Sequence, residues 1–130
     1  MKQARSLTRE VFHRHEIEVT TDQWVILKAI AEKEGSSQQE ISELTFREPA
    51  AITRMLDHLI KQGFVSKQID DADRRKQLLF LTETGSQLYQ RAMPIVKSIR
   101  EHALTDLTEA ERDTFRNILK RVYGAIQEDF

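Results

Sequence analysis

The sequence predicts a mainly α-helical chain with one small antiparallel β-hairpin, a winged helix-turn-helix flanked by N- and C-terminal dimerisation helices. Three observations predict it. Two helical segments are joined by the short turn Thr45–Glu48, the second opened by Pro49. A hairpin with a long charged tip follows directly. Amphipathic helices at both ends have no evident partner inside that unit.

Residues 7–18 place Leu7, Val11, Phe12, His15 and Ile17 in a helical pattern with charge between them. Thr20 and Gln23 then fit a capping box, in which each residue's side chain accepts the other's backbone N–H. Trp24, Leu27, Ile30 and Ala31 recur at helical spacing, and Gly35 supplies the stop. Ser37 and Glu40 repeat the capping box and open a short helix bearing Ile41 and Leu44. After the turn, Pro49 takes the first helical position, where its missing N–H costs nothing. Ile52, Met55, Leu56 and Leu59 mark the buried stripe of that helix, and Gly63 ends it.

Beyond Gly63 the period changes. Phe64, Val65 and Ile69 predict a strand and Gln77–Leu81 its partner, joined across the polar tip DDADRRK. Leu88, Ala92, Ile95, Val96 and Ile99 predict a long helix in which Pro94 must break a hydrogen bond or bend the axis. Thr108 and Glu111 form a third capping box, ahead of a last helix with Phe115, Ile118, Leu119, Val122 and Ile126.

Composition narrows the function classes. With 130 residues, 39% hydrophobic and 32% charged, the chain is long and apolar enough for one folded domain. No apolar run is long enough to cross a bilayer, and the opening MKQARSLTRE lacks a signal-peptide core, so a cytoplasmic protein without membrane contact is expected. The absence of cysteine excludes disulfides, thiolate metal sites and thiol redox sensing. A formal net charge of -1 argues against a non-specific nucleic-acid coat but leaves room for locally concentrated positive charge.

The single domain, 1–130, is expected to contain a winged-helix DNA-binding unit over 20–85 and a helical dimerisation region from 1–19 plus 86–130. Leu7, Val11, Phe12 and Ile17 at one end, and Phe115, Leu119, Val122 and Ile126 at the other, would leave a large apolar patch if they faced water. Pairing across a two-fold axis covers it and supplies two reading helices for an inverted-repeat operator. The alternative is that these helices wrap the monomer's own core.

Residues 52–85, ITRMLDHLIKQGFVSKQIDDADRRKQLLFLTETG, resemble the MarR family of bacterial transcriptional regulators. The match runs from the end of a recognition helix through Gly63-Phe64-Val65, the Asp73-x-Arg75 wing tip and Leu81-Thr82-x-x-Gly85. The resemblance implies a homodimeric regulator, usually a repressor, that docks a helix in each of two major-groove segments and lays each wing along the minor groove. It also implies release by a small aromatic or anionic effector. The first helix is short by the family's habits.

On the helix from Pro49, the residues Ala50, Thr53, Arg54 and Lys61 lie off the apolar stripe, together with Asp57. Arg54 has the chemistry for a base edge, because a guanidinium bonds guanine bidentately. Thr53 reaches a base or a phosphate, while Pro49 and Ala50 are small enough to approach a thymine methyl. Ser37, Gln38 and Gln39 open the preceding helix, where free N–H groups suit a phosphate. Arg47 in the turn and Arg74, Arg75 and Lys76 in the wing complete the expected DNA-facing set, with Asp73 as wing support that aims Arg75 into a narrow minor groove.

Phe12, His15, Trp24 and Leu27 are candidate effector contacts by the same resemblance, though core packing explains the apolar members equally well. The histidines His13, His15, His58 and His102 show no ligand spacing, so no metal is expected. No nucleophile–base pair, carboxylate pair or phosphate loop is evident, so neither a catalytic residue nor a cofactor is expected. The alternative to a sequence-specific regulator is a winged-helix protein-interaction or architectural DNA-binding module without ligand response.

Overall fold

In the computed structural model the backbone is described over residues 2–129 and the side chains over 7–125. The element order is α1 (Lys2–Arg14), α2 (Thr21–Glu32), β1 (Ser36–Ser37), α3 (Gln38–Thr45), α4 (Pro49–Lys61), β2 (Val65–Ile69), β3 (Gln77–Leu81), α5 (Glu83–Ala103) and α6 (Glu109–Asp129). The chain divides into two compact units, Met1–Ile95 and Val96–Phe130.

All three capping boxes form. The Gln23 N–H donates to the Thr20 hydroxyl at 3.1 Å, and the Thr20 N–H to Gln23 Oε1 at 3.0 Å. Ser37 and Glu40 exchange the same bonds at the start of α3, at 3.2 and 3.4 Å. Thr108 and Glu111 do so before α6, at 3.1 and 3.0 Å. Each box satisfies two backbone donors that the helix itself leaves open.

Two elements differ from the sequence reading. The first helix begins earlier and ends earlier than the expected 7–18. It stops at Arg14, Glu16 takes the left-handed conformation at φ 56°, and the Ile17 N–H returns to Phe12 O at 2.8 Å. That turn directs Ile17 and Val19 into the core, so their apolarity belongs to a loop and not to a helix face. The hairpin, in turn, is part of a three-stranded antiparallel sheet of order β1-β3-β2. Ser36 pairs with Leu79 and Ser37 with Leu78. A two-residue strand of serines leaves no alternating pattern to read. Pro94 lies inside α5, which runs on as one helix.

The first unit has a continuous core. Ile26, Leu27 and Ile30 of α2, Ile41 of α3, Ile52, Leu56 and Leu59 of α4, and Leu79 of β3 are fully buried. Burying side chains of this size is worth about 1.5–3 kcal/mol each, which is what fixes α4 against α2 and α3. Trp24 is held between Phe12, edge-on at 6.3 Å between centroids, and Tyr89, stacked at 5.6 Å. This joins α1 and the first half of α5 to α2. In the second unit, Arg112 donates to Leu104 O at 2.6 Å and to Glu101 at 3.1 Å, closing the turn between α5 and α6.

The junction of β3 and α5 is pinned to the Gly63–Phe64 backbone through Thr82. Thr82 donates its N–H to Phe64 O at 3.0 Å and its hydroxyl to Gly63 O at 2.5 Å, and accepts from the Gly85 N–H at 3.0 Å. A Cβ on Gly85 would stand 2.0 Å from Phe64 O, so only glycine fits there.

Candidate nucleic-acid interface

Burial on α4 divides cleanly. Ile52, Leu56 and Leu59 face the core, whereas Pro49, Ala50, Thr53, Arg54, Asp57 and Lys61 are exposed. The chain therefore presents a polar stripe on the second helix of a helix-turn-helix, with Arg54 near its middle. Arg54 has no hydrogen bond or ion pair among the described residues, and its guanidinium fork is open to an external acceptor. Lys61 lies about two turns beyond Arg54, at the far end of the helix.

The N-terminal turn of α3 is hydrogen-bonded to this stripe. Gln38 Nε2 donates to the Thr53 hydroxyl, which itself donates to Pro49 O at 3.0 Å. Ser37, Gln38 and Gln39 also line a cleft with Arg75, Lys76 and Gln77 from the wing. Gln38 thus stands between α4 and the wing. Ser37 spends its oxygen on the α3 cap, and Gln39 donates to Glu43 at 3.3 Å.

Arg47 is placed differently from the other cations. Its Nη2 lies 2.9 Å from Asp22 Oδ1, and its Nη1 donates to Thr45 O at 3.1 Å, with only 25% of the side chain exposed. It braces the turn between α3 and α4 against the start of α2. Ser42 adds a second brace by donating its hydroxyl to Arg47 O at 2.6 Å.

The wing tip is ordered by its acids. Asp70 Oδ1 accepts the Ala72 N–H at 3.0 Å, and the Asp70 N–H donates to Lys76 O at 3.0 Å. Asp73 Oδ1 accepts both the backbone N–H and the Nε–H of Arg75, each at 3.1 Å. The Arg75 side chain is nevertheless 91% exposed. Its hydrogen bonds to Asp73, side chain first and backbone second, hold that carboxyl below the usual range. Arg74 and Lys76 are exposed beside it. Two of the wing's acids are therefore occupied with turn geometry, which leaves the three cations at the tip facing solvent.

The remaining expected residues fall into two environments. Phe12, Ile17, Trp24 and Leu27 are buried in the first unit, Val11 is half-buried, and Leu7 and His15 are exposed. On α6, Phe115, Leu119 and Val122 are exposed, as is Ile118, while the Ile126 side chain lies outside the described residues. Among the described residues no group of three or more His, Asp or Glu is placed to hold a metal ion. None of their helices is long and apolar enough to cross a membrane. Sequence reasoning missed Asp22 as the partner of Arg47, and Gln77 in the cleft. Neither carries a local signal, since both act across the fold.

The MarR family model matches residues 19–76, which span the helix-turn-helix, β2 and the wing tip and end just before β3. Over these residues the chain is similar to the MarR family. The fold and the relatives it matches are those of transcriptional regulators, not of enzymes. It is 29% identical over 113 residues to the transcriptional regulator HosA of Escherichia coli O111:H-, covering 86% of this chain and 84% of that one. Among solved structures, the transcriptional regulator SlyA superposes with a TM-score of 0.89 at 25% identity, over 98% of this chain and 89% of the other. A cysteine-to-serine mutant of MarR from E. coli, complexed with operator DNA, shares the fold with a TM-score of 0.82 at 24% identity, over 93% and 86% of the two chains.

Proposed function

We propose that this chain is a homodimeric, cytoplasmic repressor of the MarR family that reads an inverted-repeat operator in double-stranded DNA. In this reading 20–85 form the winged-helix unit, and 1–19 with 86–130 form the dimerisation region. The observation that carries it is the convergence of three elements on Gln38. It bonds Thr53 beside Arg54 on α4 and shares a cleft with Arg75 and Lys76 of the wing. A helix carrying a free arginine fits a major groove, and an exposed arginine on a fixed turn fits the adjoining minor groove.

Several observations support the details. The exposed row Phe115, Ile118, Leu119 and Val122 on α6 is apolar surface that a second copy would cover, and Leu7 on α1 is exposed as well. A dimer doubles the reading helices and imposes two-fold symmetry on the site. The MarR structure solved with operator DNA supplies the precedent for the fold on a duplex. A small aromatic or anionic effector acting at Phe12, His15, Trp24 and Leu27 would have to intrude beside the packed Phe12–Trp24–Tyr89 rings, and binding there would strain the joint of α1, α2 and α5.

The test is selection of binding sites from a random duplex pool at a stated salt concentration, with the protein's mass in solution measured in parallel. A dimer that enriches an inverted repeat supports the proposal. A folded protein that enriches nothing overturns the operator reading and favours a protein-interaction role. A monomer that enriches a single half-site overturns the dimer alone.

A further inference from the structure

We infer that Gln38 reads an adenine in the operator, and that Thr53 acts through it as a positioning residue. The inference rests on the DNA-binding reading above and goes further, assigning sequence discrimination to the helix before the reading helix.

The argument is one of proton accounting. A threonine hydroxyl has a single proton. That of Thr53 donates to Pro49 O, one turn back along α4. Toward Gln38 the oxygen can therefore only accept, so the glutamine must present its amino group there. The amide orientation follows from the network itself. With the N–H anti to the carbonyl turned to Thr53, the other N–H and the carbonyl oxygen remain side by side in one plane.

That remaining pair is the complement of adenine's major-groove edge, where N6–H₂ donates and N7 accepts. Guanine offers two acceptors on the same edge and would leave the glutamine oxygen facing an acceptor. The amide is anchored on α4 through Thr53, three residues from Ala50 and one from Arg54 in sequence. It reaches the reading face as a preset plane, and less side-chain freedom is lost on binding than for a free glutamine. Thr53, with its proton committed, supports the reader more than it reads.

The experiment compares position-by-position preferences of the wild-type protein, Gln38→Ala, Thr53→Val and Thr53→Ser, by the same duplex selection followed by titration of single-base variants. The expected result is that Gln38→Ala loses an adenine preference of about 5- to 140-fold at one symmetric position in each half-site. The other positions keep theirs. Thr53→Val, which keeps the shape and removes the hydroxyl, should weaken the preference at that same position, and Thr53→Ser should restore it. Gln38→Glu should shift the position toward cytosine, whose N4–H₂ donates to a carboxylate.

If the wild-type protein enriches a site and Gln38→Ala leaves its profile unchanged, the assignment to Gln38 is overturned and the regulator reading stands. A uniform loss of affinity at every sequence would overturn it too, since that marks a phosphate contact. Loss at a position in Gln38→Ala that Thr53→Val does not share would overturn the role of Thr53. If the wild-type protein enriches nothing, the operator reading fails and this inference falls with it.

Discussion

Asp73 holds Arg75 at two points, accepting the residue's backbone N–H and its Nε–H on the same carboxylate oxygen, so one side chain sets both the bend of the wing and the direction of its arginine. Arg75→Ala should therefore lower DNA affinity across all sequences. It should also reduce the slope of log K against log salt by about 1 unit per half-site. Asp73→Ala should lower affinity while leaving that slope nearly unchanged, because the cation remains but is no longer aimed. Titrations between low and moderate salt separate the two.

Arg54 stands on the exposed stripe of α4 without a partner among the described residues, free to meet a base. Arg54→Ala should relax discrimination at one guanine in each half-site by about 1–3 kcal/mol. Arg54→Lys should recover general affinity but only part of the discrimination, since an ammonium lacks the planar fork. Competition between matched and single-base-variant duplexes measures both.

Glu40 closes the α3 capping box and pairs with Lys33 at 2.7 Å. The Lys33 hydrogen bond, followed by the Ser37 N–H, holds its carboxyl below the usual range. A carboxylate lowered on folding adds stability above its unfolded pKa and loses it as pH falls through the folded value. Glu40→Gln should accordingly lower the melting temperature at pH 7, and the difference from wild type should vanish in acid below the carboxylate range. Thermal melts at both pH values check the sign.

Gly85→Ala places a methyl on the Phe64 carbonyl. The backbone must part at the junction of β3 and α5, at a cost of about 1–3 kcal/mol. The melting temperature should fall, and the wing's amide protons should exchange faster, because β3 ends at Leu81, next to the disturbed bonds.

Leu119→Glu, on the exposed row of α6, should leave the fold intact and turn a dimer into a monomer. Sedimentation reads the mass, and circular dichroism confirms the helix. Affinity for a full inverted repeat should then fall to that for a half-site, since the two reading helices no longer bind as one body.

Much of this was legible in the sequence because the signals were local. The capping boxes at Thr20, Ser37 and Thr108 fixed three helix starts to the residue. Pro49 marked the start of α4, and the Ile52/Leu56/Leu59 spacing marked its buried face. What escaped was non-local. Ser36 and Ser37 become a strand only because β3 lies beside them. Ile17 reads as a helix position until Glu16 turns the chain. The Arg47–Asp22 pair joins residues far apart in sequence, and the tie between Gln38 and Thr53 depends on where α3 crosses α4. Side chains at such crossings are set by packing, which no local pattern encodes.

The aromatic joint has an experimental consequence. Trp24 is the chain's only tryptophan, it is 5% exposed, and it is clasped by Phe12 from α1 and Tyr89 from α5. Its emission should be that of one residue at one place, blue-shifted by its dry surroundings. Any molecule that prises α1 or α5 from α2 must wet the indole and shift its colour to the red. The protein thus carries a native optical gauge at the point where α1 and the first half of α5 meet α2, readable without a label.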